Sequence, residues 1–498
     1  MSAGDRERID RALFSLAQIR QAARAGDTQR AWRMMEAAGL LESAEAEALS
    51  LEGRLLKDRA QRSEGTARAQ YFERAEQAYL RAAGDRRATY PLINAATIAL
   101  LNGKKEQAER LALRTLDLLM SRDHEPETDY WLGATWAEAL LLLGDVEQSK
   151  ARLEAAVAGT PSAWEDHAAT IRQLQLVLAH MDLPATLYDH LRPPASVQYS
   201  GLIHLPDGEA EAKALIEAAF DEIRPGFVFG ALAAGADILI AEAALACGAE
   251  LHVVLPTSLH QFRALSVEPF GGEWARRFDA LIEVAGAVDM MESVDRLSSA
   301  AVAMGDEIAM GLAIRRARTL ASHAISLRLR RAVDGTTSPE AIWRGRGLPV
   351  RELVLDRPVP QDKVRLPAGA MQAVLASIDP FPAEVRHRHG RMPLFSRGVW
   401  LLALDDMETA VDVAVSRLRA VPGTRLGLVF SAADDEEMAS GVASVLARGS
   451  PPGAISAAGP GIHALDLRAP HYPFEAAGEI VTEYGDIPIS CYTLPLAD

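Results

Sequence analysis

The sequence predicts a multidomain α and α/β chain: an N-terminal block of helical repeats, a central doubly wound parallel sheet and a small C-terminal α+β domain. Three observations lead there. From Asp5 to about Leu191 apolar residues recur every three or four positions, the period of helices. DLPATLYDHLRPPAS (Asp182–Ser196) then brings three prolines, which deny backbone donors and restrict their predecessors, and so closes the helical block. Beyond it, short β-rich runs alternate with helical ones, the rhythm of right-handed crossovers in a parallel sheet. The expected domains are 1–191, 195–356 and 365–498.

In the first block, YPLINAATIALLNGKKEQAERLALRTLDLL from Tyr90 and YWLGATWAEALLLLGDVEQSKARLEAAVAGTP from Tyr130 read as copies. Each opens on an aromatic, runs through an apolar helix to a Gly turn (Gly103, Gly144), and continues into a charged helix bearing Ala108 or Ala151. YFERAEQAYLRAAGD from Tyr71 is a weaker copy. The layout resembles tetratricopeptide (TPR) repeats, of period about 34 residues. The turn glycines stand 144 − 103 = 41 apart, so the match requires an insertion, placed at SRDHEPETD from Ser121. The alternative is an unrelated helical bundle. Stacked repeats form a concave surface, which implies a protein partner. Trp131 and Trp136 either line that groove or belong to the core.

The central block reads strand VQYSGLIH (Val197–His204), helix EAEAKALIEAAFDEI, strand FVFGAL, helix ADILIAEAALAC and strand ELHVVLP. A helix at Trp274–Val284, strand-like AVDMM, a helix from Asp306 to about Ala321, AISLRLR, WRGRG and VRELVLD complete it near Asp356. In such a sheet, ligands sit beyond the strand carboxyl ends, where the next helix begins with unpaired N–H groups. Gly230 ends a strand and Gly235-Ala236-Asp237 enters a helix, so an anion site is physically reasonable there. The turn is neither a Walker A loop nor GxGxxG. Asp237 has two readings, ligand contact or simple capping of the helix start. Glu242 reads as solvated.

SGLIH, the Gly-x4-Gly-Ala-Asp turn, ILIAEAALACGA and HVVLP together resemble the SLOG superfamily of Rossmann-like domains, which includes the LOG phosphoribohydrolases and DprA-type proteins. The likeness covers about Val197–Asp356. It implies a nucleotide or nucleotide-derived ligand contacted by Gly201 and by Gly230, Gly235, Ala236 and Asp237, with His204 nearby as a ligand-binding or structural residue. Family members that cleave an N-glycosidic bond carry PGGxGTxxE. The counterpart here is DGTTSPE (Asp334–Glu340), where Gly335, Thr336 and Thr337 remain able to hold phosphate but the Pro-Gly-Gly is missing. That loss favours binding without turnover.

In the last block, SRGVWLLALDDMETAVDVAVSRLRAV, RLGLVF and GEIVTEYGDIPISCYTLP resemble the middle and end of class III nucleotidyl cyclase domains. Such cyclases hold metal on two aspartates. The corresponding turn, Phe395-Ser396-Arg397-Gly398, has no carboxylate, which implies a degenerate module without metal; Asp405 and Asp406 read as helix caps. Between strands, the rest of the block reads as mixed loops. An unrelated α+β domain is the alternative. The three blocks together are similar to bacterial TPR-containing signalling proteins, some linked to defence.

The 498 residues are 49% apolar and 24% charged, the balance of a soluble globular protein. A net charge of −16 argues against nucleic acid as a partner. Cys247 and Cys491 form no metal or disulfide spacing, and MSAGDRERIDRALF lacks the apolar run of a signal peptide. The expectation is a cytoplasmic protein, with no membrane association and homo-oligomerisation left open. Functionally it is a nucleotide-sensing regulator without catalysis or only weakly catalytic. The alternatives are a nucleotide N-glycosidase or phosphoribohydrolase, and a structural repeat scaffold.

Overall fold

The computed structural model describes residues 16–23, 28–84, 86–205, 208–291, 294, 296–355, 366–382, 392–433, 435–482 and 485–494. The domain limits expected at Met1, Asp356, Arg365 and Asp498 lie outside the described residues. The chain divides into two compact units, one reaching to Pro193 and the other spanning Pro194–Leu494.

The first unit is helical. Its helices are α1 (Thr28–Ala37), α2 (Ala46–Arg62), α3 (Gly65–Ala83), α4 (Thr89–Leu101), α5 (Lys105–Ser121), α6 (Asp129–Leu142), α7 (Val146–Gly159) and α8 (Trp164–His180). The two expected copies are the hairpins α4–α5 and α6–α7, which turn through Gly103 (φ 76°) and Gly144 (φ 83°). Only glycine enters that left-handed conformation without strain, and so it stops each first helix. Between the hairpins, residues 122–128 carry neither helix nor strand, where the sequence places its insertion. Thr128 and Asp145 then cap α6 and α7 by accepting from Trp131 N and Gln148 N.

Close packing joins α2 to α3, since a Cβ on Gly53 would lie 2.7 Å from the buried ring of Tyr79. A polar chain crosses the inner helices. Lys57 Nζ donates to Gln173 Oε1 (2.8 Å), Gln173 Nε2 to Glu138 Oε1 (2.8 Å), and Thr97 Oγ1 to the same oxygen (2.5 Å). Trp131 and Trp136 are half-buried. Trp131 stands edge-on to Tyr130 at 5.3 Å, and Arg152 stacks over Trp136 at 4.1 Å.

The second unit holds two sheets. The first comprises β1 (Ala195–Ser200), β2 (Pro225–Gly230), β3 (Glu250–Leu255), β4 (Ala287–Met290), β5 (Ala324–Arg330) and β6 (Val350–Val354). Their order is β4-β3-β2-β1-β5-β6, all parallel. The intervening helices are α9 (Glu209–Ile223), α10 (Ala236–Ala246), α11 (Leu259–Ser266), α12 (Trp274–Val284), α13 (Ser299–Thr319) and α14 (Ser338–Gly345). Val197, Tyr199, Ile216, Phe220, Ile238 and Phe278 belong to one core that α9, α10 and α12 close over the sheet. Helix α13 starts seven residues before its expected position at Asp306, because Ser298 caps it by accepting from Ala301 N.

The second sheet has β7 (Met371–Ser377), β8 (Leu394–Ser396), β9 (Val399–Leu404), β10 (Arg425–Ala432), β11 (Ala454–Ala458), β12 (Glu475–Thr482) and β13 (Gly485–Thr493). Helices α15 (Met407–Ala420), α16 (Glu436–Gly449) and α17 (Ala464–Arg468) accompany it. The order is β12-β13-β11-β10-β7-β9-β8. Within it β10-β7-β9-β8 is antiparallel, with the 4-1-3-2 order of a split β-α-β unit. Strand β11 and helix α16 stand where the sequence reads as mixed loops. AISAA is rich in Ala and Ser, which carry little β preference, whereas α16 does have helical spacing at Met438, Val442 and Leu446, against the expectation of loops.

Helix α13 is covered on two sides. A Cβ on Gly305 would meet Pro256 beyond β3 at 3.3 Å, and one on Gly311 would lie 1.8 Å from the carbonyl oxygen of His463, just before α17.

Candidate functional site

Strand order runs outward from β1 through β2 to β4, then reverses with β5 on the other flank of β1. In an open α/β sheet the crevice beyond the strand carboxyl ends at such a reversal, here those of β1 and β5, is the usual ligand position. All the sequence-predicted residues lie at that end: Gly201 and His204 after β1, Gly230, Gly235, Ala236 and Asp237 after β2, and Gly335, Thr336 and Thr337 after β5.

The first two groups grip each other. Strand β1 stops at Ser200, four residues short of the expected His204, because Leu202–His204 pair with the neighbouring loop instead of the sheet. His204 N donates to Ala234 O (2.8 Å), Ala236 N donates to Leu202 O (2.9 Å), and Ile203 forms an antiparallel bridge with Gly235. His204 itself has φ 63°, turning the chain, and its ring lies 5.3 Å from that of Phe270. The glycines serve this contact. A Cβ on Gly201 would lie 2.3 Å from the Ala236 Cβ, and one on Gly235 would lie 2.6 Å from Leu202 O. At Gly230 the close neighbour is Tyr199, 2.7 Å from a would-be Cβ. The Gly-rich turn therefore holds the β1 loop, and the donor of Ala236 in the first turn of α10 is already engaged.

Asp237 clamps the same two loops. Its Oδ1 accepts from Gly201 N at 2.9 Å and its Oδ2 from Ala233 N at 3.3 Å. Burial, with the nearby Asp306 adding to it, pushes its pKa up to about 8 against the two backbone donors and Arg328, so the carboxyl is mostly protonated at neutral pH.

Strands β1 and β5 supply a feature that belongs to none of the motifs above. Ser196, Gln198, Ser326 and Arg328 are all buried, in the middle of a parallel sheet where continuous apolar runs are the rule. They form a chain. Ser326 Oγ donates to Gln198 Oε1 (2.8 Å), and Arg328 Nε donates to Ser326 Oγ (3.1 Å). Arg328 Nη1 donates to Asp306 Oδ2 on α13 (3.4 Å), while its Nη2 is buried without a hydrogen-bond partner. Arg328 pairs in register with Ser200, the last residue of β1, so this guanidinium stands at the strand reversal. Burial raises the pKa of Asp306, and Arg328 opposes that rise. The signal was present in ASVQYS and AISLRLR, whose alternate polar residues suit a half-solvated strand, not an interior one.

The third loop is exposed. Thr336 and Thr337 are open to solvent, and a Cβ on Gly335 would meet nothing within 4 Å. Thr337 caps α14 by accepting from Glu340 N. Glu340 is buried and held by Arg344 (2.7 Å) and Arg330 (3.4 Å). Glu242 likewise pairs with Arg277 at 2.6 Å. In the C-terminal sheet, Arg397 (φ 52°) and Gly398 (φ 77°) form the two-residue β8–β9 turn, and Asp406 caps α15. Among the described residues, no group of three or more His, Cys, Asp or Glu is placed to hold a metal ion, and no helix is long and apolar enough to cross a membrane.

Residues 2–101 match a family model described as Tetratricopeptide Repeats-Sensor. No curated protein matches the chain. Among solved structures, a mutant O-GlcNAc transferase from Thermobaculum terrenum matches at 13% identity with a TM-score of 0.20, over 72% of this chain and 61% of that one. The present chain thus spans less than two thirds of that relative. Over residues 2–101 the chain is thus similar to a TPR-type repeat family, and repeats of that type generally mediate protein interactions through their stacked surface.

Proposed function

We infer that the chain is a non-catalytic regulator: its repeats dock a protein partner, and the β1/β5 crevice binds a small anionic, nucleotide-derived ligand. One observation carries the ligand half, the buried Arg328 guanidinium with an unpartnered Nη2 at the strand reversal. An unpaired N–H on a buried cation is costly, and an anionic oxygen arriving from the crevice removes that cost. Resemblance of the central block to SLOG domains supports a nucleotide-derived ligand, and the sensor description of the N-terminal family supports a regulatory role.

The hydrolase alternative needs a free carboxylate beside the ribose. Glu340 is committed to Arg344 and Arg330, and Asp237 to two backbone donors, so neither is free to serve. The C-terminal sheet fits a degenerate cyclase-like module acting in output or self-association, with arginine and glycine in its hairpin turn. The test is calorimetric titration of the full chain with a panel of nucleotides, cyclic nucleotides and NAD derivatives, with products followed by chromatography. Binding without product supports the reading. Product formation, or no binding across the panel, contradicts it.

A further inference from the structure

Asp306 and Glu307 are adjacent on α13, and one is paired to a strand of the first sheet, the other to α17. Asp306 receives Arg328 from β5 at 3.4 Å. Glu307, buried, is held at both oxygens by Arg468 of α17, with Nε and Nη2 each at 2.6 Å. Further along, Arg315 and Arg318 pair with Asp466 at 3.2 and 3.0 Å, and Arg315 also donates to Phe474 O. Arg346, after α14, closes the same patch by donating to Asp466 O (2.6 Å) and Leu467 O (2.9 Å). The helix has 21 residues, about 31 Å of a stiff rod. Gly311 and the His463 carbonyl leave no slack between that rod and the second sheet.

We propose that α13 is a two-sided relay, which couples occupation of the β1/β5 crevice to the seating of α17 and the C-terminal sheet. The proposal rests on the ligand site inferred above. A ligand that draws the Arg328 guanidinium into the crevice takes from buried Asp306 the cation that offsets its charge. The uncompensated carboxylate favours a shifted α13, and close-packed helices respond to such a shift by moving together. Glu307, one residue away, carries the shift to Arg468. Two sites and a shared element with distinct contacts in each state are what coupling requires.

The test is hydrogen exchange of the full chain in the absence of any ligand, comparing wild type with Arg328→Met and with the double variant Arg328→Met/Asp306→Asn. The relay predicts that Arg328→Met, which leaves the Asp306 carboxylate uncompensated, speeds exchange in 463–469 at least tenfold, that adding Asp306→Asn removes most of that effect, and that 209–223 and the N-terminal helices show no matching change. Unchanged exchange in 463–469, while 299–311 responds, overturns it; so does a uniform rise across the unit, which signals mere destabilisation. If Arg328→Met does not fold, Arg328→Gln, which removes the charge but keeps a hydrogen-bond donor, takes its place in the same comparison. Because no ligand is used, failure to bind nucleotides defeats the functional reading and leaves this result to stand or fall separately.

Discussion

Asp237 shows how one residue answers a question the sequence left open. Its position permits ligand contact or capping; in the structure it ties the loops after β1 and β2 together and is mostly protonated at neutral pH. A folded-state pKa raised to about 8 makes a stabilising contribution that is complete below the unfolded value near 4 and is lost as pH rises through 8. Wild-type stability should fall across that window, and Asp237→Asn should flatten the fall, as denaturant midpoints measured from pH 5 to 8 will show. Asp237→Ala leaves two backbone donors without their acceptor and should cost about 2 kcal/mol. Gly201→Ala forces a Cβ to within 2.3 Å of Ala236 and should cost about 1–3 kcal/mol in the same assay. The glycine turn was legible as a tight backbone approach, but what approaches is another loop of the same chain, and no local pattern reports that. Arg328 and Asp306 escaped notice because their importance comes from strand order, which places β5 beside β1 in the interior.

Elements with strong local signals were the most legible. Gly103 and Gly144 punctuate the repeat hairpins, and the alternation from Val197 to Asp356 yields six parallel strands. The helix caps are similarly local. Asp145→Ala removes the acceptor of Gln148 N, so thermal unfolding should report a loss of about 1 kcal/mol. Arg397 occupies a left-handed position in a two-residue hairpin turn, a conformation asparagine tolerates better. Arg397→Asn should therefore be neutral or raise stability by up to about 1 kcal/mol. The C-terminal block was harder to read. Strands β7 and β11 are rich in Ala and Ser, and they are stabilised by long-range pairing with β10 from either side. Propensity alone cannot report such pairing.

At the scale of the whole molecule, a helical unit accompanies a unit in which one helix touches two sheets. The net charge of −16 bears on the proposed anionic ligand, because long-range repulsion opposes its approach. Raising ionic strength toward the physiological range should therefore speed association, as stopped-flow measurement will show. The central claim is that the β1/β5 crevice is a ligand site built around Arg328. Its most direct test is calorimetric titration of wild type and Arg328→Met with the best-binding nucleotide. The account predicts at least tenfold weaker binding by Arg328→Met, the expected loss of a charge-assisted hydrogen bond. Equal affinity for the two proteins would contradict it.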